Sequence, residues 1–189
     1  MGSVTLWMQM SLDGFAEGPD QQVHWPVVDE ELCGSYLDEL RTYDLFLYGR
    51  RTFEIMASFW PYADADPAIS PFYVDFARCW KATPKVVFSS TLRHADWNTR
   101  VVPGMLDEIA ALKAQPGCDM VLFGGAQTAS VFLENDLIDE YRLFVHPVVL
   151  GGGVPLFRSP LETADLQLID VMTFDSAVVQ MHYQQASAA

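Results

Sequence analysis

Few folds accept a short apolar run that breaks at a glycine pair and resumes as a helix. Val121-Leu122-Phe123-Gly124-Gly125-Ala126-Gln127-Thr128-Ala129 is such a stretch. The run before the glycines suits a central strand buried on both faces. Thr128 to Leu133 can then start a helix. A glycine pair lets backbone pass close to a ligand, and a new helix offers unpaired N–H groups to an anion such as a pyrophosphate. A tight turn that needs glycine for packing alone fits the same residues, and a lone glycine motif does not separate the two.

The same punctuation recurs along the chain. Val4 to Met10 reads as a first strand, and Ser11-Leu12-Asp13-Gly14 as a turn. Residues 15–28 read as an irregular loop, and a helix follows Val28 with Leu32, Tyr36, Leu37 and Leu40 turned inward. Leu45 to Tyr48 is a buried strand ending at Gly49, with a helix from Thr52 to Ala57. Pro61 to Pro71 reads as a loop because it holds three prolines and several acids, and Phe72 to Trp80 as a helix. Lys85 to Phe88 and Arg100 to Val102 read as strands, Met105 to Ala114 as a helix, and Ile138 to Val145 as a long strand. Leu166 to Phe174 and Ala177 to Tyr183 form a hairpin around Asp175-Ser176, and residues 184–189 are expected to fray.

Strand and helix alternate, then strands follow alone. This order predicts an α/β fold within one domain spanning 1–189, with a mostly parallel sheet, helices on both faces and a C-terminal antiparallel hairpin. Ligands of such sheets sit at the carboxyl ends of strands. Three polar strand ends are therefore candidates: Gly49-Arg50-Arg51-Thr52, Ser89-Ser90-Thr91-Leu92-Arg93, and Gly124-Gly125-Ala126-Gln127-Thr128.

Charge narrows the ligand class. The net charge is −14, from 11 basic and 25 acidic residues, so the surface repels nucleic acid and anionic membranes. Seven of the eleven basic residues nevertheless fall between positions 50 and 100, as a pocket for a small polyanion requires. No apolar run approaches the roughly 18 residues that span a bilayer. Without a visible signal peptide, the scattered Cys33, Cys79 and Cys118 read as reduced thiols of a cytoplasmic protein. His24, His94, His146 and His182 lack metal-ligand spacing, no G-x-S-x-G elbow is present, and no Walker lysine follows a glycine loop.

The three strand ends, taken in order, resemble those of the dihydrofolate reductase fold. Ser11-Leu12-Asp13-Gly14-Phe15 and Val145-His146-Pro147-Val148-Val149-Leu150-Gly151-Gly152-Gly153 draw the likeness toward the C-terminal reductase domain of riboflavin biosynthesis (RibD C-terminal) and its stand-alone relatives. The resemblance runs from about Val4 to Tyr183. It implies an NADPH-dependent reductase acting on a small planar heterocycle such as a pterin or pyrimidine. It also implies that Gly49, Arg50, Arg51 and Thr52 meet the cofactor phosphates. By the same likeness Ser89 and Ser90 would lie beside the adenosine ribose, with Arg93 or Arg51 on a 2′-phosphate. Gly124, Gly125 and Ala126 match that family's pyrophosphate turn, with Gln127 and Thr128 expected to cap it. A homodimer is implied because the glycine triplet lies near a subunit contact in the relatives.

The substrate side carries open alternatives. Asp29, Glu30 and Glu31 follow Trp25; the likeness to dihydrofolate reductases, where an acid shortly after a Trp helps protonate the pterin, implies Glu30 by its nearer spacing, while three acids also stabilise a helix N-terminus. Asp13 can polarise a substrate or hold its own turn. Trp25 and Trp60 can stack on a planar ring, and Trp60 serves equally well as core or lid. Gly151-Gly152-Gly153 reads first as a turn. The first loop shows no Lys/Arg cluster for a ribose phosphate. The rival to a reductase is a non-catalytic nucleotide- or heterocycle-binding module on the same fold.

Overall fold

The computed structural model describes residues 1–65, 69–158 and 163–186. Its elements follow the chain as β1 (Ser3–Ser11), β2 (Phe15–Glu17), α1 (Glu30–Leu40), β3 (Leu45–Gly49), α2 (Arg50–Ala63), α3 (Pro71–Ala82), β4 (Lys85–Phe88) and β5 (Thr99–Val102). Then come α4 (Met105–Lys113), β6 (Asp119–Leu122), α5 (Ala126–Glu134), β7 (Glu140–His146), β8 (Val154–Pro155), β9 (Leu166–Thr173) and β10 (Val179–Gln185). Eight strands form one sheet in the order β5-β4-β3-β6-β1-β7-β10-β9, and β2 pairs with β8 apart from it. From β5 to β7 every pairing is parallel, and β10 is antiparallel to both β7 and β9. The three-layer α/β architecture is the one expected.

Alternation along the central strands splits the core in two. Leu6 and Met8 of β1, Leu47 of β3 and Leu122 of β6 pack with Ile109, Leu112, Ala129 and Phe132 of α4 and α5. Trp7, Phe46, Tyr48 and Val121 point the other way, against Tyr36, Leu40, Phe53, Phe76 and Trp80 of α1, α2 and α3. Each large side chain buried this way stabilises the fold by about 1.5–3 kcal/mol.

Four local expectations need correction. The helix after Gly49 starts at Arg50 and runs through Pro61 to Ala63, so the expected loop begins later. A proline costs a helix its N–H bond; here Pro61 stands near the helix end and is buried, so packing outweighs the loss. Residues 66–68 lie outside the described residues. Phe15–Glu17 is a short strand within the expected irregular loop, because Val154–Pro155 arrives to pair with it. The helix beyond the glycine pair starts at Ala126, two residues before Thr128. Gln184 and Gln185 do not fray: they pair in β10 with Gln167 and Leu166. Ala186 N–H donates to the Asp165 carbonyl at 2.9 Å, and residues 187–189 lie outside the described residues.

Candidate active site

A cavity of about 950 Å³ opens at the carboxyl ends of β1, β3, β4 and β6. Its wall is polar at one end and aromatic at the other. Arg50, Arg51, Thr52, Ser89, Ser90, Gly125, Gln127 and Thr128 supply the polar end, while Trp7, Trp25, Trp60, Tyr73, Phe76 and Phe123 supply rings. Three distant segments thus meet as parallel strand ends, for the reason the sheet order dictates: β3 lies between β4 and β6.

The polar end is built by two helix starts. Gly49 precedes α2 and Gly125 precedes α5, and neither helix has a side-chain cap on its first N–H groups. Such groups carry partial positive charge and bind anions. Gly124 and Gly125 hold φ of 61° and 55°, a region that costs any other residue strain. A Cβ on Gly125 would stand 3.0 Å from Thr52 Oγ1, and one on Gly49 would collide with Thr128 Oγ1. The glycines therefore let the two helix starts approach each other and leave the space above them open. That space, with its uncapped N–H groups and cations, fits a dinucleotide phosphate.

The arginines are not equivalent. Arg50 turns along its own helix to Glu54, 3.1 Å away. Arg51 reaches back across the first loop, donating from Nη1 to Glu17 Oε2 at 2.8 Å and Gln21 Oε1 at 2.8 Å, and from Nη2 to the Gln21 carbonyl at 2.7 Å. Gln21 has a φ of 56°, so this clasp holds the loop in a costly conformation. Arg93 is exposed and stands outside the cavity wall. Arg158 lines the cavity instead, and its Nε is buried with no partner among the described residues. Nothing in the sequence near Arg158 marks it, because its place depends on β8 pairing with β2. Ser89 Oγ accepts from the N–H groups of Leu92 at 2.9 Å and Thr91 at 3.2 Å, closing the turn after β4, and Ser90 is exposed at the cavity edge.

The acids sort by their contacts. Asp13 accepts from the N–H groups of Leu150 (3.1 Å) and Gly151 (2.8 Å), and these bonds with Ser11 hold its carboxyl below the usual range. It lies off the cavity wall, and so does Glu30, the exposed first residue of α1. Asp29 caps that helix through Leu32 N–H at 2.7 Å and also accepts from Ser176 N–H at 2.6 Å. Glu31 accepts from Asp175 N–H at 3.0 Å. Gly153, with φ of 126°, passes against the backbone of Glu17 and Gly18, so the glycine triplet is a turn. The two sequence motifs around Asp13 and Gly151 are therefore one contact. Among the described residues, Glu17 is the one carboxylate of the cavity wall, and it is paired with Arg51.

At the aromatic end, Trp60 stacks near Tyr73 with ring centroids 5.6 Å apart and meets Phe76 at 4.0 Å. Trp25 stands edge-on to His146 at 5.4 Å. His146 is fully buried. Its Nδ1 accepts from Val27 N–H at 3.1 Å and its Nε2 lies 2.6 Å from Gln9 Oε1. Burial pushes its pKa down to about 4, so the ring is neutral. Gln9 went unnoticed in the sequence, where a glutamine in an apolar strand carries no signal. Among the described residues no three metal-ligating side chains gather, and no helix is long and apolar enough to cross a membrane.

Comparison with known proteins agrees with this geometry. The uncharacterized protein YyaP of Bacillus subtilis (strain 168) is 35% identical over 184 residues, covering 95% of this chain and 93% of its own. A Shewanella sp. PV-4 protein provisionally assigned to riboflavin biosynthesis superposes with a TM-score of 0.74 at 24% identity, covering 98% of this chain and 99% of its own. Dihydrofolate reductase from Enterococcus faecalis, solved with NADP(H), superposes with a TM-score of 0.65 at 14% identity, covering 98% and 97%. These structural likenesses show the dihydrofolate reductase-like fold. The model of the RibD C-terminal domain matches residues 3–180, and the chain belongs to that family.

Proposed function

We propose that the protein is an NADPH-dependent oxidoreductase that reduces a small planar heterocycle, pterin- or pyrimidine-like, by hydride transfer. One observation carries the reading: two uncapped helix starts converge on the floor of a cavity whose other end is walled by aromatic rings. When bound, NADPH supplies a hydride, and a proton completes the two-electron reduction. Gly49, Thr52, Gly124, Gly125, Ala126, Gln127 and Thr128 would hold the pyrophosphate through backbone donors and hydroxyls. Ser89, Ser90 and Arg51 would take the 2′-phosphoribose, with Arg50 and Arg158 adding positive charge. Trp25 and Trp60 would flank the substrate ring. With Asp13 and Glu30 off the cavity wall, the proton comes from water.

A second reading has one observation in its favour. The cavity wall presents no free carboxylate among the described residues. A binding module that holds a nucleotide without turnover needs none. Tryptophan fluorescence during NADPH titration tests the shared part. Saturable quenching is expected, and none at millimolar NADPH would sink both. Arg51→Ala is expected to weaken NADPH tenfold or more and NADH far less, since it removes a phosphate partner. NADPH oxidation across pterins, pyrimidines and quinones separates enzyme from module.

The reading includes a cytoplasmic homodimer. Three free cysteines suit a reducing compartment. Strand β9 is exposed at the sheet edge along its whole length. Its Leu166, Leu168 and Val171 pair with Gln185, Tyr183 and Met181, extending the α4–α5 face of the sheet beyond its helices. An uncovered apolar edge of this kind suits a second copy.

A further inference from the structure

Gln9 lies at the end of β1 in the cavity wall, close to Trp7, Trp25 and Tyr36. Its side-chain oxygen is held twice. Tyr36 Oη donates to Gln9 Oε1 at 2.9 Å, and His146 Nε2 approaches the same oxygen at 2.6 Å. The histidine's direction is set from behind. Val27 N–H donates to Nδ1 at 3.1 Å, so the neutral ring carries its proton on Nε2 and donates to Gln9. Turned over, the amide would set its NH2 against that Nε2–H. The glutamine therefore has one orientation, with oxygen inward and nitrogen toward the cavity. Among the described residues no protein acceptor meets Gln9 Nε2, and this nitrogen is not among the sealed, partnerless atoms. Two donors thus face a space walled mainly by rings.

We propose that Gln9 is a specificity-determining residue that donates a hydrogen bond from Nε2 to a carbonyl oxygen or imine nitrogen of the bound heterocycle. The proposal rests on the reductase reading for the identity of the site. A flat ring entering this end displaces water from the amide. A ring with an acceptor at its edge replaces the lost bond, and a ring without one leaves two N–H groups unpaired. The tyrosine and histidine are positioning residues. They give the amide its direction before the ligand arrives, so little ordering cost remains on binding.

The test compares two probes at pH 8 with NADP+ at saturation. Lumazine offers ring carbonyls and imine nitrogens, and indole offers an N–H donor and no comparable acceptor. Binding is followed by tryptophan fluorescence or calorimetry. Gln9→Glu retains an oxygen for Tyr36 and His146 but presents an acceptor to the cavity. It is expected to weaken lumazine tenfold or more, to bind indole at least as tightly as the wild type, and to leave NADP+ affinity unchanged. Loss of packing alone would weaken both probes together. Gln9→Leu removes the donor and the inward acceptor, and is expected to lose the preference without reversing it. A Gln9→Glu protein with the wild-type preference overturns the proposal, as does a wild type that binds neither probe. Failure of the wild type to bind NADP+ sinks the reductase reading instead, and the two probes are then compared on the protein alone.

Discussion

At the residue scale, His146 shows how burial turns an ordinary side chain into a pH-dependent strut. The unfolded chain titrates this ring near the usual 6.5, while in the fold it titrates near 4. Between those values the unfolded state binds more protons, so stability falls as pH falls through that window. The neutral ring's contribution is fully present above pH 6.5 and lost by about pH 4. The gap is worth about 3 kcal/mol. Urea unfolding at pH 7 and pH 4.5 checks it. The wild type is expected to lose stability relative to His146→Gln at the lower pH, and parallel curves would contradict the assignment. The sequence showed His146 before Pro147, without metal-ligand spacing to another histidine. It did not show Gln9 or Val27, because both partners are far away along the chain.

At the element scale, the strand ends were legible because glycine and apolar runs act locally. Gly124-Gly125 stop a strand and open a helix for a reason contained in two residues, their positive φ, whereas Gly49 is extended and is needed because a side chain there would meet Thr128. Pro61 defied the same local logic, since its burial against other elements outweighs a lost helix bond. The tie between α1 and the sheet was not legible at all. Glu39 of α1 forms an ion pair with Arg142 of β7, both largely buried, and Gln180 of β10 donates to Glu39 at 3.3 Å. Burial raises the Glu39 carboxyl above its usual range, and Arg142 opposes the rise. Arg142→Met is expected to destabilise the fold by about 3 kcal/mol, because it strands a buried carboxylate. Adding Glu39→Gln is expected to recover part of the loss in chemical denaturation. Equal stability of single and double variants would mean that the pair does not couple α1 to β7.

At the scale of the whole molecule, the two edges of the sheet differ in length and exposure. β5 is a short edge strand with Val101 and Val102 only partly buried. β9 presents eight exposed residues, and its bulge opposite His182 and Tyr183 changes the register near Ile169. The proposed dimer places a second copy there. Leu168→Asp with Val171→Asp is expected to convert a dimer to a monomer in light scattering after gel filtration, with NADPH binding retained. A wild type that runs as a monomer at tens of micromolar would remove this part of the reading. The acidic surface, at −14 overall, makes the contact depend on apolar area rather than on charge.

Sequence alone determined the layer order, the parallel core and the strand-end positions, because each depends on periodicity and on turn chemistry contained in a few residues; the family came from the resemblance of the strand-end motifs. Tertiary structure decided which residues share the cavity. Pairing of β2 with β8 and the arrival of Leu150 and Gly151 set Asp13 to holding a loop. The C-terminal hairpin engaged Asp29 and Glu31, and helix α1 left Glu30 in solvent. The same packing brought Arg158, Glu17 and Gln9 into the wall. A side chain's chemistry is written in its own codon, but the partners of Gln9 and Asp13 include His146, Leu150 and Gly151, more than a hundred residues away, and no local pattern announces them.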